Sequence, residues 1–439
     1  MNHTHTVQLP WGKDSLAVSL PGAWSLSGEM VPNPLPGVED IRQETEKALG
    51  QPLGMPRLAE MVSSQTRIAL VIDDDSRPTP VAALLPAVVA ELERGGASLG
   101  QVTLVVALGV HRPMSDAEIA RRIGGQYIPS LQVTTHDPDN LEGLALLGTT
   151  RRGTPVYVNR VVAGADLVIS IGCIEPHIIA SFGGGYKNIV PGVAGRATIA
   201  HNHTLNCQPA TFNSVGQPIE HNPMRLDLEE ACGLLKPPVF IVNAVLNSAL
   251  HVVRVVAGHP IDAHRAGVST SAQIYGVSVP RLADVLITAS HPMDQDLRQG
   301  VKAAANTIRA VRRGGVQLTL IRAEEGVGVF GLANRRLPLG RNGLKLVAPL
   351  LLPLVPRLRL RSMGEEDRFF LYFALQAMRH ATLLAYAPTI PAGVRQNLPF
   401  IRFVESVEEG IAIARRRFPQ QASVLLFPHG GSTYPILPA

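Results

Sequence analysis

The sequence predicts an α/β protein of two domains, each built on a parallel or mixed sheet. Short apolar runs rich in β-branched residues repeatedly precede stretches with helical periodicity. The alternation restarts after about Arg265, as a second domain would require. The length of 439 residues suffices for two cores, and a composition 46% hydrophobic and 17% charged suits ordinary globular domains. The expected division is 1–270 and 271–439, with the active site in the cleft between the two.

In chain order, TRIALVIDD (66–74) reads as a buried strand. SRPTP then opens the helix VAALLPAVVAELERGG, with Pro78 suited to the first turn and Gly95–Gly96 ending it. QVTLVVALG (101–109) is the second strand, followed by the helix MSDAEIARRIGG capped by Ser115 or Asp116. ADLVISIG (165–172) and PPVFIVNAVLN (237–247) are the third and fourth strands. RAGVSTSAQIYGVSVPR has weak periodicity and reads as a linker. The second domain starts with the strand RLADVLITAS, the long helix DLRQGVKAAANTIRAVRRGG and the strand VQLTLIRA. A helix near EEDRFFLYFALQAMRHA, a strand near ATLLAYAP, a helix at SVEEGIAIARRRF and a strand at ASVLLFP complete it.

The net charge is +5, but the basic residues are scattered, aromatics are few and no nucleic-acid motif occurs, so a nucleic-acid partner is not expected. Only six lysines occur: Lys13, Lys47, Lys187, Lys236, Lys302 and Lys345. Each is therefore more informative than usual. Three cysteines without CxxC spacing give neither a disulfide framework nor a zinc knuckle. The N-terminal stretch lacks the pattern of a signal peptide. The apolar run LVAPLLLPLVPRL is too short and too proline-rich to span a membrane. A reducing, cytoplasmic setting is expected.

Ligands of α/β sheets sit beyond the C-terminal ends of strands, and the unusual polar clusters fall there. In DDDSRPTP, Arg77, Ser76 and Thr79 at a helix start could hold a phosphate or carboxylate, although ordinary capping explains the cluster taken alone. His111 in ALGVHRPMSDAE has a pKa suited to proton transfer near neutrality, but a lone loop histidine is more often a surface residue. His136 in THDPDN reads as structural. Gln299 and Lys302 in DLRQGVK share a helix face and could clamp a carboxylate, or simply face solvent.

The stretch IEPHIIASFGGGYKNIVPGVAGRATIAHNH carries three glycines into Tyr186 and Lys187. It is no P-loop, because Lys187 is followed by Asn188 and has no glycine directly before it. His177, His201 and His203 could ligate a metal, but His201 and His203 would lie close together only on a strand, and no zinc signature is completed. The glycines allow positive φ and close backbone approach.

Taken together, D-x-S-R-P-T-P (74–80), G-V-H-R (109–112), PH…GGGYK (176–187), PGVAGRATIAHNH (191–203) and QGVK (299–302) resemble the nickel-dependent lactate racemase family. The resemblance spans most of the chain. It implies a racemase or epimerase of a 2-hydroxy acid, an isomerase working by hydride transfer through a 2-keto acid. The implied cofactor is a nickel pincer nucleotide (pyridinium-3-thioamide-5-thiocarboxylic acid mononucleotide). Lys187 would be its covalent attachment point and His203 the protein ligand to nickel. His111 and His177 would be the acid/base pair. Arg77, Gln299 and Lys302 would bind the substrate carboxylate. Asp74, Ser76, Arg77, Gly184 and Gly185 would line the cofactor, and His201 would be a neighbour without a role. The implied partners are the small hydroxy acid and the cofactor-synthesis enzymes, with no membrane and with a homo-oligomer left open.

One departure concerns the substrate. Arg298 precedes Gln299 where lactate-type members lead one to expect an aromatic residue, so a larger or more acidic hydroxy acid is conceivable. Two rival readings are a zinc hydrolase using His177, His201 and His203, and a non-catalytic sensor of a hydroxy acid or nucleotide.

Overall fold

The strand β1 (Ile68–Asp73) is buried along its whole length, as expected for a strand covered on both faces. It lies in a computed structural model that describes residues 5–328, 330–358 and 367–438. The chain divides into two units. The first comprises Pro34–Leu205 and Pro218–Ile274, and the second the rest of the described chain.

In the first unit β1 leads to helix α1 (Val81–Arg94), β2 (Val102–Ala107), α2 (Asp116–Ile123) and β3 (Gln132–Thr135). The chain then forms β4 (Leu167–Cys173), α3 (Arg196–Thr204), α4 (Pro223–Cys232), β5 (Val239–Leu246), β6 (Val252–Gly258) and α5 (Asp262–Tyr275). The sheet order is β6-β5-β4-β1-β2-β3. All neighbours are parallel except β5 and β6, which are antiparallel. The chain leaves β1 towards β2 on one side and leaves β4 towards β5 on the other. Strand order therefore reverses between β1 and β4, and such a switch point opens a crevice beyond the carboxyl ends of the strands.

The second unit carries a six-stranded, all-parallel sheet, in the order Arg402–Val404, Thr382–Tyr386, Val311–Leu320, Ala283–Ala289, Ser423–Phe427, Ser25–Glu29. The expected division at 270 does not describe it. Residues up to Asn33 and the stretch Asn206–Gln217 belong to this unit. The reason is packing. Leu9, Val18, Leu20 and Trp24 join Val285, Leu318 and Leu426 in one buried cluster, and Ser25–Glu29 extends the sheet beside Ser423–Phe427. Asn213 donates to the Ala305 carbonyl at 2.5 Å, tying the 206–217 stretch to the same unit.

Three local readings change. The stretch read as a linker falls largely within α5. Its weak periodicity comes from small residues, and at Gly267 a Cβ would lie 2.3 Å from Ile174 and 3.1 Å from Val256. The long helix after residue 296 stops at Thr307, because Val311–Leu320 is a strand held by neighbours on both sides. The first helix begins at Val81, so Pro78 lies ahead of it. The helix near 367–380 starts at Asp367 among the described residues, and Glu365 and Glu366 lie outside them.

Close packing of α5 on the sheet predicts that Gly267→Leu destabilises the protein by about 1–3 kcal/mol. Urea unfolding checks this; an unchanged midpoint would show that the contact is slack.

Candidate active site

Asp73 and Asp74 lie where β1 ends, and Cys173 where β4 ends, so the switch point is lined from both sides by sequence-adjacent polar groups. His111 follows β2 and reaches back. Its Nδ1 lies 2.6 Å from Asp74 Oδ2. Ser76 Oγ donates to the other Asp74 oxygen at 2.6 Å. Burial alone would raise the Asp74 carboxyl, but His111, Ser76 and Arg77 outweigh it and hold it at about 2. The carboxylate is thus ionised and fixes the His111 proton on Nδ1, which leaves the lone pair on Nε2.

Arg77, expected to bind an anion, donates to Glu175 Oε1 at 2.6 Å. Burial works against its charge, but Glu175 and Asp74 more than offset that, so the guanidinium stays cationic. Glu175, which the sequence reading passed over, is therefore the group an incoming carboxylate would have to displace or sit beside. Beneath them Arg122 pairs with Asp73, and Thr79 donates to the second Asp73 oxygen at 2.5 Å. Burial, then Glu175 and Asp73, push the Cys173 thiol well up. It is a protonated wall of the site and not a nucleophile.

The glycine loop is held from below. Gly184 and Gly185 have φ of 72° and 63°, a region that excludes other residues at low strain. A Cβ on Gly184 would sit 2.5 Å from Ile174 and 2.8 Å from Asn243 Oδ1; one on Gly185 would sit 2.7 Å from Arg225. The protein's own packing thus requires glycine at both positions. Asn243 accepts the Gly185 N–H at 2.8 Å. Arg225 donates to the Gly184 carbonyl at 3.2 Å, and His264 Nε2–H donates to the Gly183 carbonyl at 2.8 Å. Burial, with Arg225 and Arg265 beside it, drives the His264 pKa well down, so the ring is neutral. Glu229 accepts from Arg225 at 3.0 Å and from Arg265 at 2.8 Å.

This cage presents Lys187 in the short turn Gly185–Asn188, and Asn188 pins the turn to the Ile171 carbonyl of β4 at 2.8 Å. Lys187 Nζ lies 3.0 Å from His177 Nε2. The opposite nitrogen, His177 Nδ1, accepts the backbone N–H groups of Ile179 at 3.2 Å and Ala180 at 3.1 Å. The neutral ring therefore carries its proton on Nε2, the reverse of His111.

His201 and His203 lie on α3, not on a strand. Two residues apart on a helix point in different directions. His201 Nδ1–H donates to Thr154 Oγ1 at 2.8 Å, and Thr154 in turn donates to Asp227. His203 is 2% exposed, and its Nδ1–H donates to the Ile199 carbonyl at 3.0 Å, which puts the lone pair on Nε2. Among the described residues no three His, Cys, Asp or Glu side chains form a metal-binding group. The zinc triad of His177, His201 and His203 is thereby lost. His136 is buried and donates to the Ala194 carbonyl at 3.0 Å, as its structural reading required. In the second unit Gln299 and Lys302 share the helix Leu297–Thr307, whose N-cap Asp296 accepts the Gln299 N–H at 2.7 Å.

Because the Asp74 carboxyl is depressed from 3.8 to about 2, its stabilising effect is full above about pH 4 and is lost as pH falls towards 2. The shift corresponds to about 2 kcal/mol. Urea unfolding should show Asp74→Asn less stable than wild type near neutral pH, with the gap closing over that window. A gap independent of pH would show that the carboxylate contributes no such linkage.

With this geometry in place, the comparisons with known proteins agree. Residues 11–213 match the lactate racemase N-terminal domain. The lactate racemase of Thermoanaerobacterium thermosaccharolyticum is 31% identical over 333 residues, covering 74% of this chain and 76% of that protein. The lactate racemase of Lactiplantibacillus plantarum is 30% identical over 296 residues, covering 66% and 68%. The solved lactate racemase apoprotein from T. thermosaccharolyticum aligns with a TM-score of 0.84 at 25% identity, over 99% of this chain and 100% of that one. The chain is a member of the lactate racemase family and is an isomerase.

Proposed function

We propose that the protein racemises or epimerises a 2-hydroxy acid with a nickel pincer nucleotide attached at Lys187. The observation that carries this is the pair of histidines with opposite proton placement. His111 offers a lone pair at Nε2, backed by Asp74. His177 offers an N–H at Nε2, because two backbone amides occupy its Nδ1. A racemase that handles either enantiomer needs one group ready to take the hydroxyl proton and one ready to donate to the oxygen.

The residues present fit the implied cofactor. Its metal is carried mainly by its own organic donors and needs one protein ligand, and the buried His203 directs a lone pair through Nε2. When bound, the cofactor supplies a reversible hydride acceptor, so the hydroxy acid passes through a planar 2-keto acid that can be reduced on either face.

In the resting state His111 takes the hydroxyl proton, and the resulting imidazolium is stabilised by the Asp74 carboxylate. His177 donates a hydrogen bond to the substrate oxygen. For His177 to act as the base, the ring must take its proton on Nδ1 and release the amides of Ile179 and Ala180. The two directions thus differ in what the protein must rearrange. Arg77 holds the substrate carboxylate beside Glu175 and keeps the reacting carbon in place. The resemblance alone gives Gln299 and Lys302 a carboxylate-binding role. Asp74 and Ser76 act through His111. The cofactor-synthesis enzymes are the partners this reading requires. No described helix is long and apolar enough to cross a membrane.

Co-expression with the cofactor-synthesis enzymes should give an intact-mass adduct and bound nickel, both absent in Lys187→Ala. No adduct and no nickel in the wild-type protein would overturn the reading. In the loaded protein, His111→Ala should lower kcat by about 10²–10⁴. Arg298, in the first turn of its helix, adds a positive charge next to Gln299. Kinetics on enantiopure lactate, malate and sugar acids should therefore favour a larger or more acidic substrate, and a clear preference for lactate would count against that.

A further inference from the structure

The contact between His177 and Lys187 has a consequence for the lysine before any cofactor is attached. Both amides that point at His177 Nδ1 are donors, at 3.2 and 3.1 Å. Nδ1 must therefore be unprotonated, and the ring proton is on Nε2, 3.0 Å from Lys187 Nζ. An ammonium has only donors, so it would set N–H against N–H. A neutral amine has a lone pair and accepts. We propose that His177 holds unmodified Lys187 as the neutral, nucleophilic amine. The same histidine thus prepares the lysine for attachment and later serves the substrate.

The surroundings favour this state. The elements packed around the Lys187 turn are β1, β4, β5 and α4. Their ionisable groups are Asp73, Cys173, Arg225, Asp227, Glu229, Glu230 and Cys232, with Glu175, Arg77, His264 and Arg265 nearby. Each of the carboxylates has a partner of its own. Asp73 pairs with Arg122, Glu175 with Arg77 and Glu229 with Arg225 and Arg265. Asp227 accepts from Thr150, Thr154 and Asn202, and Glu230 from the Arg151 N–H. Burial keeps the Cys173 and Cys232 thiols and the Tyr186 hydroxyl protonated. Arg225, fully buried beneath the loop, adds positive potential that disfavours a second cation above it. A lysine next to another cationic group is a recognised route to an activated amine.

The attachment also explains how His177 changes task. As a thioamide nitrogen, Nζ has a delocalised lone pair and accepts poorly. The His177 N–H is then released to the substrate oxygen. This inference rests on the proposed attachment at Lys187, but its test needs no cofactor.

Apoprotein made without the cofactor-synthesis enzymes is labelled with limiting acetic anhydride across a pH series. Each lysine is quantified by peptide mass spectrometry, with the other five lysines as internal standards. Lys187 should titrate well below the other five lysines, an ordinary lysine titrating at about 10.4. His177→Phe should move it back towards the ordinary value. Wild-type Lys187 titrating with the other lysines would overturn the inference, and so would a folded His177→Phe protein with an unchanged midpoint. If that variant does not fold, the wild-type midpoint decides alone. Such a failure would leave the mass adduct at Lys187 intact, whereas a missing adduct would sink the attachment without moving the lysine pKa.

Discussion

Asn243 sits in the middle of a strand whose eight residues are all buried, and its side-chain oxygen accepts the Gly185 N–H. A polar amide in such a place costs about 1–3 kcal/mol if left unpaired. The strand and the loop are thus locked together, because separating them strands both partners. Arg225 and His264 do the same for the Gly184 and Gly183 carbonyls. The left-handed corner at Gly184–Gly185 satisfies all three. That corner leads into the turn that brings Lys187 Nζ within 3.0 Å of His177 Nε2.

The Asp74–His111 pair is fixed by a different device. β1 and β2 are neighbours in register, Asp73 opposite Ala107, so the residues just past their ends emerge side by side. An ionised carboxylate there needs a donor, and the histidine supplies it. The two histidines owe their opposite proton placement to this difference. One faces a carboxylate, and the other faces two backbone amides.

Much of this was legible in the sequence. The buried strands β1, β2, β4 and β5 announced themselves as apolar runs, and their ends marked the polar clusters correctly. What stayed hidden depends on contacts between distant segments. Glu175 and Arg225 look like ordinary charges until Arg77 and the glycine loop are placed beside them. Asn243 does leave a signal, a lone amide inside an apolar strand. The α5 helix was missed because small residues that suit close packing against Ile174 blur helical periodicity. The membership of the first 33 residues in the second unit could not be read locally, since an edge strand and a covering hairpin carry no mark of which sheet they will join.

The family relationship and the geometry speak to different questions. The match to lactate racemases fixes the class of reaction, yet at about 30% identity it leaves the substrate open. The geometry contributes what similarity cannot, namely proton positions. A histidine held by two amides cannot become a cation without breaking both hydrogen bonds, whereas one backed by a carboxylate gains from doing so. If the two histidines are the acid/base pair, as proposed, the two half-reactions make unequal demands on the protein, one at a carboxylate and one at two backbone amides. At equilibrium the enantiomers must still be equal for a true racemisation, because the catalyst cannot shift it. The asymmetry can appear only in the separate kcat and KM values for the two hands, with the ratio kcat/KM balancing between them.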